Sequence, residues 1–246
     1  MRTPDFSVVI PLYNEAENVP GLQREISAAL TGFHYELILV DDGSTDDTAR
    51  CIQPSPEVQL VVFEKNAGQS AAMLAGMRAA RGEVVVLLDG DLQNDPRDIP
   101  KLLAGIKAGA DLVCGYRVRR QDTVVKKLTS RIANFVRSRF VGDGVRDTGC
   151  TLKAMRRECV SAIVPFKGVH RFIPALVKSA GFRIVEIPVN HRSRQYGQSK
   201  YGIGNRALRA TQDMFGVRWL QSRRLDYVLR GESQAGAGSA APRSQK

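Results

Sequence analysis

Four short polar segments of the sequence contain residues that can bind phosphate, a nucleoside or a metal cation. They read PLYNE (residues 11–15), DDGSTD (residues 41–46), EKNAGQS (residues 64–70) and DGDLQNDP (residues 89–96). Each follows a short apolar or β-branched run of the kind that predicts a strand. Ligands of open parallel sheets bind beyond the carboxyl ends of the strands. We therefore expect the four segments to lie together at one edge of a sheet.

The fourth segment has the sharpest chemical pattern, two carboxylates and an amide at alternate positions. Asp89, Asp91 and Gln93 follow the apolar run VVVLL. Oxygen ligands suit Mg²⁺ or Mn²⁺, and Mg²⁺ is commonly held by one or two carboxylates together with substrate phosphates. A DxD alone is also compatible with a polar Asp/Gly turn. Its place after a buried strand, together with two other acidic segments, favours a metal site.

A second pair of carboxylates, Asp41 and Asp42, follows the run LILV directly. Such a carboxylate can accept hydrogen bonds from a nucleobase N–H or a ribose hydroxyl. The same residues also suit a turn and a helix cap, and both interpretations stay open. The sequence has no G-x-G-x-x-G after the first predicted strand and no G-x-x-x-x-G-K-[ST]. A dinucleotide cofactor and a P-loop nucleotidase are therefore disfavoured.

The elements that must position these segments alternate between strands and helices. In the first half, strands are predicted over residues 7–10, 36–40, 58–63, 84–88 and 111–115. Helices are predicted after Asn18, which can cap a helix carrying Leu22, Ile26 and Leu30, and over residues 45–52 and 68–80. This alternation predicts an α/β fold with a mostly parallel central sheet flanked by helices.

The second half is more basic and its pattern differs. Strands are predicted over residues 150–155 and 183–189, and helices over residues 124–140, 158–163, 172–180 and 203–220. The polar, glycine-containing segment over residues 191–202 is expected to be mobile. Residues 1–220 are interpreted as one catalytic domain, with a nucleotide and metal half (6–115) and an acceptor half (116–220). Residues 221–246 are interpreted as a basic segment and a disordered tail.

Composition bounds the class of protein. The chain has 246 residues, 43% of them hydrophobic, and a formal net charge of +11, so it can bury one sizeable core. The basic excess lies after Tyr116. This distribution favours an anionic partner, which could be nucleic acid, an acidic membrane surface or a phosphorylated substrate, over solubility alone.

The cysteines and the apolar runs indicate the compartment. The four cysteines form no CxxC pair, which favours buried thiols in a reducing compartment. The first residues lack the apolar core of a signal peptide, and no run approaches the roughly 20 apolar residues of a spanning helix. We therefore expect a cytoplasmic protein that contacts the inner face of a membrane peripherally.

Several motifs together resemble glycosyltransferase family 2. They are VVIPLYNEAENV, VDDGSTDDT, KNAGQSAAMLAG and LLDGDLQNDP. With HRFIPALVKSAGFRIVEIPVNHRSRQYGQSKY, they resemble the branch of that family that acts on dolichyl and other polyprenyl phosphates. The resemblance spans roughly residues 6–219 and implies the type A nucleotide-diphospho-sugar transferase fold. It also implies an inverting, metal-dependent enzyme that moves a sugar from a nucleotide-diphosphate donor to a polyprenyl phosphate.

The resemblance also implies roles for particular residues. The nucleotide would be bound by Pro11, Tyr13, Glu15, Asp41, Asp42, Asn66 and Gly68. The cofactor, Mg²⁺ or Mn²⁺, would be held by Asp89, Asp91 and Gln93, and Asp89, Asp91 and Arg117 would form the catalytic set. The acceptor phosphate would be bound by Arg117, Arg131, Ser199 and Lys200.

A chemical argument favours a phosphate acceptor independently of the resemblance. A sugar hydroxyl is a poor nucleophile and needs a positioned general base. Transferases of this fold that act on hydroxyls often supply the base from a Glu-Asp pair, and this sequence has no such pair. A phosphate monoester already carries more than one negative charge near neutral pH, so it needs only alignment and charge compensation. Arginine and lysine side chains provide both.

Two alternative functions stay open at the level of the sequence. One is a family 2 transferase that glycosylates a saccharide hydroxyl in cell-envelope synthesis. The other is a non-enzymatic nucleic-acid-binding protein, which the charge suggests, although acidic strand ends would repel a phosphate backbone. We expect no nucleic-acid partner and an anionic membrane surface instead. A separate membrane protein or a second copy of the chain are further partners that the sequence allows.

Four single residues also have two interpretations each. His170 could be catalytic or could have a structural or phosphate-contacting role. Asp147 could orient an arginine or the sugar, or could belong to a turn. Phe215 and Trp219 could be ordinary packing residues or could contact a membrane interface.

Overall fold

The computed structural model describes residues 2–118, 137–193 and 203–225. Its centre is a seven-stranded sheet with the strand order β3-β2-β1-β4-β6-β5-β7. The strands are β1 (Phe6–Leu12), β2 (Tyr35–Asp41), β3 (Val58–Val62), β4 (Val84–Leu87), β5 (Leu112–Arg117), β6 (Lys153–Arg156) and β7 (Ile184–Val189). Neighbouring strands are parallel except in the two pairs that involve β6. The predicted α/β fold with a mostly parallel sheet is confirmed.

Helices cover both faces of the sheet. They are α1 (Val19–Ala29), α2 (Gln69–Ala79), α3 (Ile99–Lys107), α4 (Ile173–Ser179) and α5 (Ile203–Ser222). The described residues also form 3₁₀ turns at Ala49–Cys51, Pro96–Asp98, Arg157–Ala162 and Val169–Arg171. Apolar residues of α1 and α3 fill one core layer, and those of α2 and α4 fill the other.

The alternation of side chains along β1 explains why the chain needs both layers. Val8 and Ile10 point into the layer under α1 and α3, whereas Val9 points into the layer under α2 and α4. A central parallel strand buried on both faces is therefore largely apolar, and in β1 the polar exception is Ser7. Gly76 lets α2 lie close to the sheet, because a Cβ there would lie 2.3 Å from Val9 Cγ1.

Two helix predictions in the first half need correction. The helix predicted over residues 45–52 is wrong, because only the 3₁₀ turn Ala49–Cys51 forms there. Asp46 Oδ1 accepts hydrogen bonds from the Thr48 amide (3.0 Å) and the Thr48 hydroxyl, and such local bonds compete with a helix. The cap prediction at Asn18 is half right. Helix α1 begins at the next residue. The side-chain amide of Asn18, however, donates to Glu15 Oε2 (2.5 Å) and does not cap the helix.

The second half follows the prediction less closely. The strand predicted over residues 150–155 begins only at Lys153, and the helix predicted over residues 158–163 is a 3₁₀ turn. The segment predicted as a basic helix lies mostly outside the described residues, although residues 137–141 are helical. Most of the segment over residues 191–202 and the tail beyond Leu225 also lie outside them.

Candidate active site

The ends of strands β1 to β4 lie side by side at one edge of the sheet. Leu12, the last residue of β1, pairs with Asp41, the last residue of β2. The Phe63 amide donates to the Asp41 carbonyl (2.9 Å), which places the end of β3 beside them. The Leu88 amide donates to the Val9 carbonyl (3.1 Å) on the other side. The four polar segments therefore leave the sheet at the same edge, as the sequence predicted.

Reciprocal hydrogen bonds join the loop after β1 to the loop after β2. Asn14 has a positive φ of 52°, and its amide N–H donates to Ser44 Oγ (2.9 Å). Its side-chain oxygen accepts from the Thr45 amide (2.8 Å), and the Glu15 amide donates to Thr48 Oγ1 (2.8 Å). These bonds fix the loop that contains the predicted nucleoside residues Tyr13 and Glu15.

The predicted nucleoside residues of this edge differ in what their side chains do. Pro11 lies within β1 opposite Val40, and Tyr13 follows the strand as a partly buried side chain. Asp41 is almost fully buried, and its Oδ1 accepts from the Ser44 amide (3.0 Å) and the Ser44 hydroxyl (2.5 Å). The structure thus brings these residues together, and their contact with a nucleoside stays a prediction.

Asp42 has a structural task that the sequence did not reveal. Its carboxylate accepts hydrogen bonds from the side-chain amide of Asn66 (2.9 Å) and from the backbone amides of Ala67 (2.8 Å) and Gly68 (2.9 Å). Burial raises the pKa of Asp42, while these hydrogen bonds oppose the rise. Gly43 has a φ of +66°, and a Cβ there would lie 2.5 Å from the Lys65 carbonyl carbon, so the two loops meet at a glycine.

The two carboxylates after β4 lie close enough to repel each other. Burial, and then the charge of Asp91, raises the pKa of Asp89 to about 6. The side-chain amide of Gln69, at the start of α2, donates to Asp89 Oδ1 (2.9 Å). Asp91 Oδ1 accepts from the backbone amide of Gln93 (3.1 Å), and Leu92 between them has a φ of 60°. The Asp89 carboxylate therefore lies beside the start of α2, and the Asp91 carboxylate is held by the backbone of its own turn.

The donor set fits a metal ion that is shared with a substrate. The described residues form no group of three or more His, Cys, Asp or Glu side chains that could hold a metal by themselves. Asp89 and Asp91 would supply two carboxylates to such an ion, and Gln93 would supply an amide oxygen. A Mg²⁺ site of this kind is completed by phosphate oxygens and water.

The residues after β7 are bonded directly to the DGDLQNDP segment. The Asn190 amide donates to Asp98 Oδ2 (2.6 Å), and His191 forms an antiparallel bridge with Asn94. The Arg192 amide donates to the Gln93 carbonyl (2.8 Å). The Arg192 guanidinium also bonds Glu25 on α1 (2.6 Å) and Asp95 (3.0 Å). No role was predicted for Arg192, because nothing in the polar sequence NHRSR distinguishes it from its neighbours.

Arg117, at the end of β5, forms a two-pronged ion pair with Asp147. Its Nε lies 2.7 Å from Oδ2 and its Nη2 lies 2.8 Å from Oδ1. Both side chains are largely buried, and His191 Nε2 lies 3.4 Å from Arg117 Nη1. A Cβ at Gly149 would lie 2.8 Å from Arg117 Nη2, so the glycine leaves room for the guanidinium. Both interpretations of Asp147 hold: its side chain orients an arginine, and its carbonyl begins a turn by accepting from the Cys150 amide (3.3 Å).

No role was predicted from the sequence for Ser70 or Lys153, and two roles were left open for His170. Ser70, next to Gln69 on α2, lies 2.8 Å through its Oγ from His170 Nδ1 and accepts from the Gly168 amide (3.0 Å). Lys153 is only 2% exposed, and its ammonium donates to the Cys150 carbonyl. The positive charge of Lys153 opposes the rise in the pKa of Asp89. A lysine inside a predicted strand was the only signal available for it.

Three residues besides Arg117 were predicted to bind the acceptor phosphate. Arg131, Ser199 and Lys200 lie outside the described residues. Within the described part of the chain, no helix is both long enough and apolar enough to cross a membrane.

A family model and several known proteins match this sequence over most of its length. The sequence model for glycosyl transferase family 2 matches residues 7–164. An undecaprenyl-phosphate 4-deoxy-4-formamido-L-arabinose transferase from Klebsiella pneumoniae is 40% identical over 204 residues, which cover 80% of this chain and 62% of that protein. A dodecaprenyl-phosphate galacturonate synthase from Rhizobium johnstonii is 39% identical over 228 residues, covering 88% of this chain and 67% of that protein. The chain thus spans about 62% of the first relative's length.

A solved structure shows the same fold at lower sequence identity. Glucosyl-3-phosphoglycerate synthase from Mycobacterium tuberculosis, crystallised with Mn²⁺, UDP and phosphoglyceric acid, superposes with a TM-score of 0.68. The identity is 21%, and the match covers 91% of this chain and 80% of that one. At this identity the likeness concerns the fold alone.

Proposed function

Because the chain belongs to glycosyl transferase family 2, we propose that it moves a sugar, with inversion, from a nucleotide-diphosphate donor to a polyprenyl phosphate. The observation that carries the proposal is the pair of carboxylates Asp89 and Asp91 at the end of β4, beside the three other polar loops. The relatives named for undecaprenyl and dodecaprenyl phosphate support the acceptor class. Since the chain spans only part of the first relative, the activity and the substrates of the whole protein belong to this proposal.

The donor nucleoside is assigned to the loops after β1 and β2. Tyr13 and Glu15 lie on a loop that is fixed by bonds from Asn14 to Ser44 and Thr45. A preformed loop loses little conformational freedom when a ligand binds. Pro11 and Asp41 complete this set at the strand ends. Asn66 and Gly68 both donate hydrogen bonds to the Asp42 carboxylate, so the contribution of these three residues to nucleotide binding is to hold the third loop in place.

Asp89, Asp91 and Gln93 would hold Mg²⁺ or Mn²⁺ against the donor diphosphate. The ion would compensate the negative charge that develops on the leaving diphosphate. The electrostatics of the pair support this assignment, because burial, and then the charge of Asp91, raises the pKa of Asp89, and a bound cation would offset both effects. Gln69 holds Asp89 from the side of α2 through a 2.9 Å hydrogen bond.

The acceptor phosphate is assigned to the side of the site that contains Arg117. Asp147 holds the Arg117 guanidinium in one orientation, and a guanidinium can bind phosphate oxygens through charge-assisted hydrogen bonds. Arg131, Ser199 and Lys200 are assigned to the same phosphate on the family resemblance. The phosphate is already an anion, so the chain needs to align it and does not need to deprotonate it.

The end of α5 is assigned to the membrane that holds the acceptor. Phe215 and Trp219 are 61% and 60% exposed and lie one turn apart on the same face of α5. Arg218 and Arg223 beside them are also exposed. Exposed aromatic and basic side chains together suit the interface of an anionic bilayer. We assign the protein to the cytoplasmic face of a membrane, as a peripheral protein with one catalytic domain over residues 1–220.

Transfer can be tested directly with the purified protein. The assay offers a panel of nucleotide sugars together with undecaprenyl phosphate, with a saccharide acceptor, or with neither, in Mn²⁺ or in EDTA. We expect one nucleotide sugar to be consumed only with the lipid phosphate and only with the metal ion. Transfer to the saccharide alone would replace this function with the hydroxyl-acceptor alternative. Full turnover in EDTA would remove the metal from the proposal.

A further inference from the structure

We propose that Arg192 is a positioning residue for the metal site, because it fixes Gln93 through the backbone while its guanidinium anchors that backbone to two other elements. The inference rests on the proposed function, in which Gln93 is a metal ligand. It goes further by assigning a role to a residue that touches neither the ion nor a substrate.

Two hydrogen bonds join the backbone of Arg192 to Gln93, one to the Gln93 backbone and one to its side chain. The Arg192 amide donates to the Gln93 carbonyl (2.8 Å), and the Gln93 side-chain amide donates a long hydrogen bond of 3.5 Å to the Arg192 carbonyl. An amide group whose nitrogen donates in one direction presents its oxygen in the other. Arg192 therefore orients the Gln93 oxygen for ligation.

The side chain of Arg192 explains why its backbone stays in place. Its Nη1 lies 2.6 Å from Glu25 Oε2 on α1, and its Nη2 lies 3.0 Å from Asp95 Oδ1, two residues after Gln93. The Asp95 side chain is 1% exposed and that of Arg192 is 28% exposed, so water screens this contact less than it screens a fully exposed ion pair. The guanidinium thus connects the residues after β7 to α1 and to the metal segment itself. Partners of this kind, one step removed from the ion, determine how its ligands are oriented.

The same carboxylate provides a matched control. Arg97 also pairs with Asp95, at 2.8 Å from Nη2 to Oδ2, but its side chain is 72% exposed. Its described hydrogen bonds all go to Asp95 and none goes to Gln93. Removing Arg97 takes one ion pair from Asp95 and leaves both bonds between Arg192 and Gln93. Comparing the two variants therefore distinguishes two roles. Both arginines pair with Asp95, but of the two only Arg192 bonds Gln93.

The Arg192 variant is expected to fold. Arg192 lines an open cleft of about 320 Å³ together with Glu25 and Arg97, so truncation enlarges a solvent-accessible space and creates no buried void. Asp95 keeps Arg97 as a partner in that variant. Both variants should stay folded, with the thermal midpoint falling further in Arg192→Ala, which loses two ion pairs, than in Arg97→Ala, which loses one exposed pair.

The experiment measures Mn²⁺ binding to the full chain by electron paramagnetic resonance, with Mn²⁺ alone and with Mn²⁺ plus UDP. It compares the wild type with Arg192→Ala, Arg192→Lys and Arg97→Ala. We expect Arg192→Ala to raise the Mn²⁺ dissociation constant about tenfold to a hundredfold, in line with other residues that hold metal ligands in place. Arg192→Lys should recover part of the loss, and Arg97→Ala should bind like the wild type.

The outcomes separate this inference from the proposed function. Wild-type affinity in Arg192→Ala, or an equal loss in Arg97→Ala, would overturn the role of Arg192 while leaving the metal site in place. A wild-type protein that binds no Mn²⁺ in either condition would overturn the metal assignment, and the role of Arg192 with it.

Discussion

Arg117, at the end of β5, is bonded to Asp147 through two guanidinium N–H groups, on the side of β4 opposite the loops after β1 and β2. Because Asp147 accepts from both Nε and Nη2, the planar guanidinium has a fixed orientation before any ligand binds. If Arg117 binds the acceptor phosphate as proposed, this orientation sets the direction from which the phosphate must approach.

The first prediction concerns this pair. Arg117→Lys keeps a positive charge beside Asp147 but loses the two-pronged geometry. We expect the acceptor kcat/KM to fall about tenfold or more, since a lost charge-assisted hydrogen bond costs roughly 1.5–3 kcal/mol. Donor affinity, measured by calorimetry, should not change. Arg131→Ala should behave in the same way, and equal losses of donor and acceptor function would contradict this division of the site.

The second prediction concerns the carboxylates after β4. Asp89→Asn and Asp91→Asn should each abolish transfer. The loss of one carboxylate weakens metal binding, and the bound ion lowers the activation free energy by roughly several kcal/mol through its charge. Burial, and then the charge of Asp91, raises the pKa of Asp89, and each change removes a negative charge from this pair, so thermal stability should be maintained or should rise. Near-full turnover of either variant at saturating Mn²⁺ would show that these side chains do not hold the ion.

The third prediction separates the two carboxylates at the end of β2. Asp41→Ala should raise the donor KM more than it lowers kcat, because a residue at the nucleoside contributes uniform binding. Asp42→Ala should instead loosen the loop over residues 66–68, so protease cleavage there should become faster. Limited proteolysis and steady-state kinetics on both variants check this. A collapsed kcat with an unchanged donor KM in Asp41→Ala would place that residue at the chemistry.

The fourth prediction concerns the exposed face of α5. The double variant Phe215→Ala/Trp219→Ala should bind anionic vesicles more weakly but should turn over a short, soluble prenyl phosphate at the normal rate. The matched control is Leu60→Ala/Val62→Ala on β3, which removes two side chains that are 40% and 58% exposed at the far edge of the sheet. Co-sedimentation with vesicles measures the difference. Equal binding by the two double variants would assign α5 to another partner.

The fifth prediction is a pH dependence of stability, remote from the site. Glu36 is 2% exposed and accepts from Ser7 Oγ (2.6 Å), the Arg81 amide (2.6 Å) and Arg81 Nε (2.8 Å). Burial alone would raise the pKa of Glu36, but these hydrogen bonds outweigh it and lower the pKa below its ordinary value.

A lowered pKa in the folded state fixes the sign. The stabilisation from Glu36 is complete above the ordinary glutamate pKa and is lost as the pH falls through that value and below it. Glu36→Gln should therefore destabilise the protein at pH 7 and lose most of that effect under acid conditions. Urea unfolding at a series of pH values measures this, and a pH-independent difference would contradict it.

The sequence predicted the central sheet well because its signal is local. The β-branched runs at β1, β2 and β4 are apolar on both faces, so their positions could be read without knowing their neighbours. Helix α3 was not predicted, although Ile99, Leu102 and Ile106 have helical spacing and are buried. It begins three residues after the end of DGDLQNDP (residues 89–96), which was interpreted only as a ligand segment.

The contacts that the sequence could not reveal join distant parts of the chain. Asp42 to Gly68 and Arg192 to Glu25 are pairs whose spacing follows from the fold and not from any local motif. Asp147 could be predicted to orient an arginine, but the choice of Arg117 required the position of β5. The acceptor residues Arg131, Ser199 and Lys200 stay a prediction.

The antiparallel strand β6 has a consequence for protein engineering. It sits between β4 and β5, so the strand that precedes the paired carboxylates finds one of its two neighbours only late in the chain. A fragment that stops after β5 would leave the edge of β4 unpaired and open to association with other chains. Chimaeras that exchange donor specificity between relatives should therefore carry β6 along with β1 to β4, with crossovers in the connections around it.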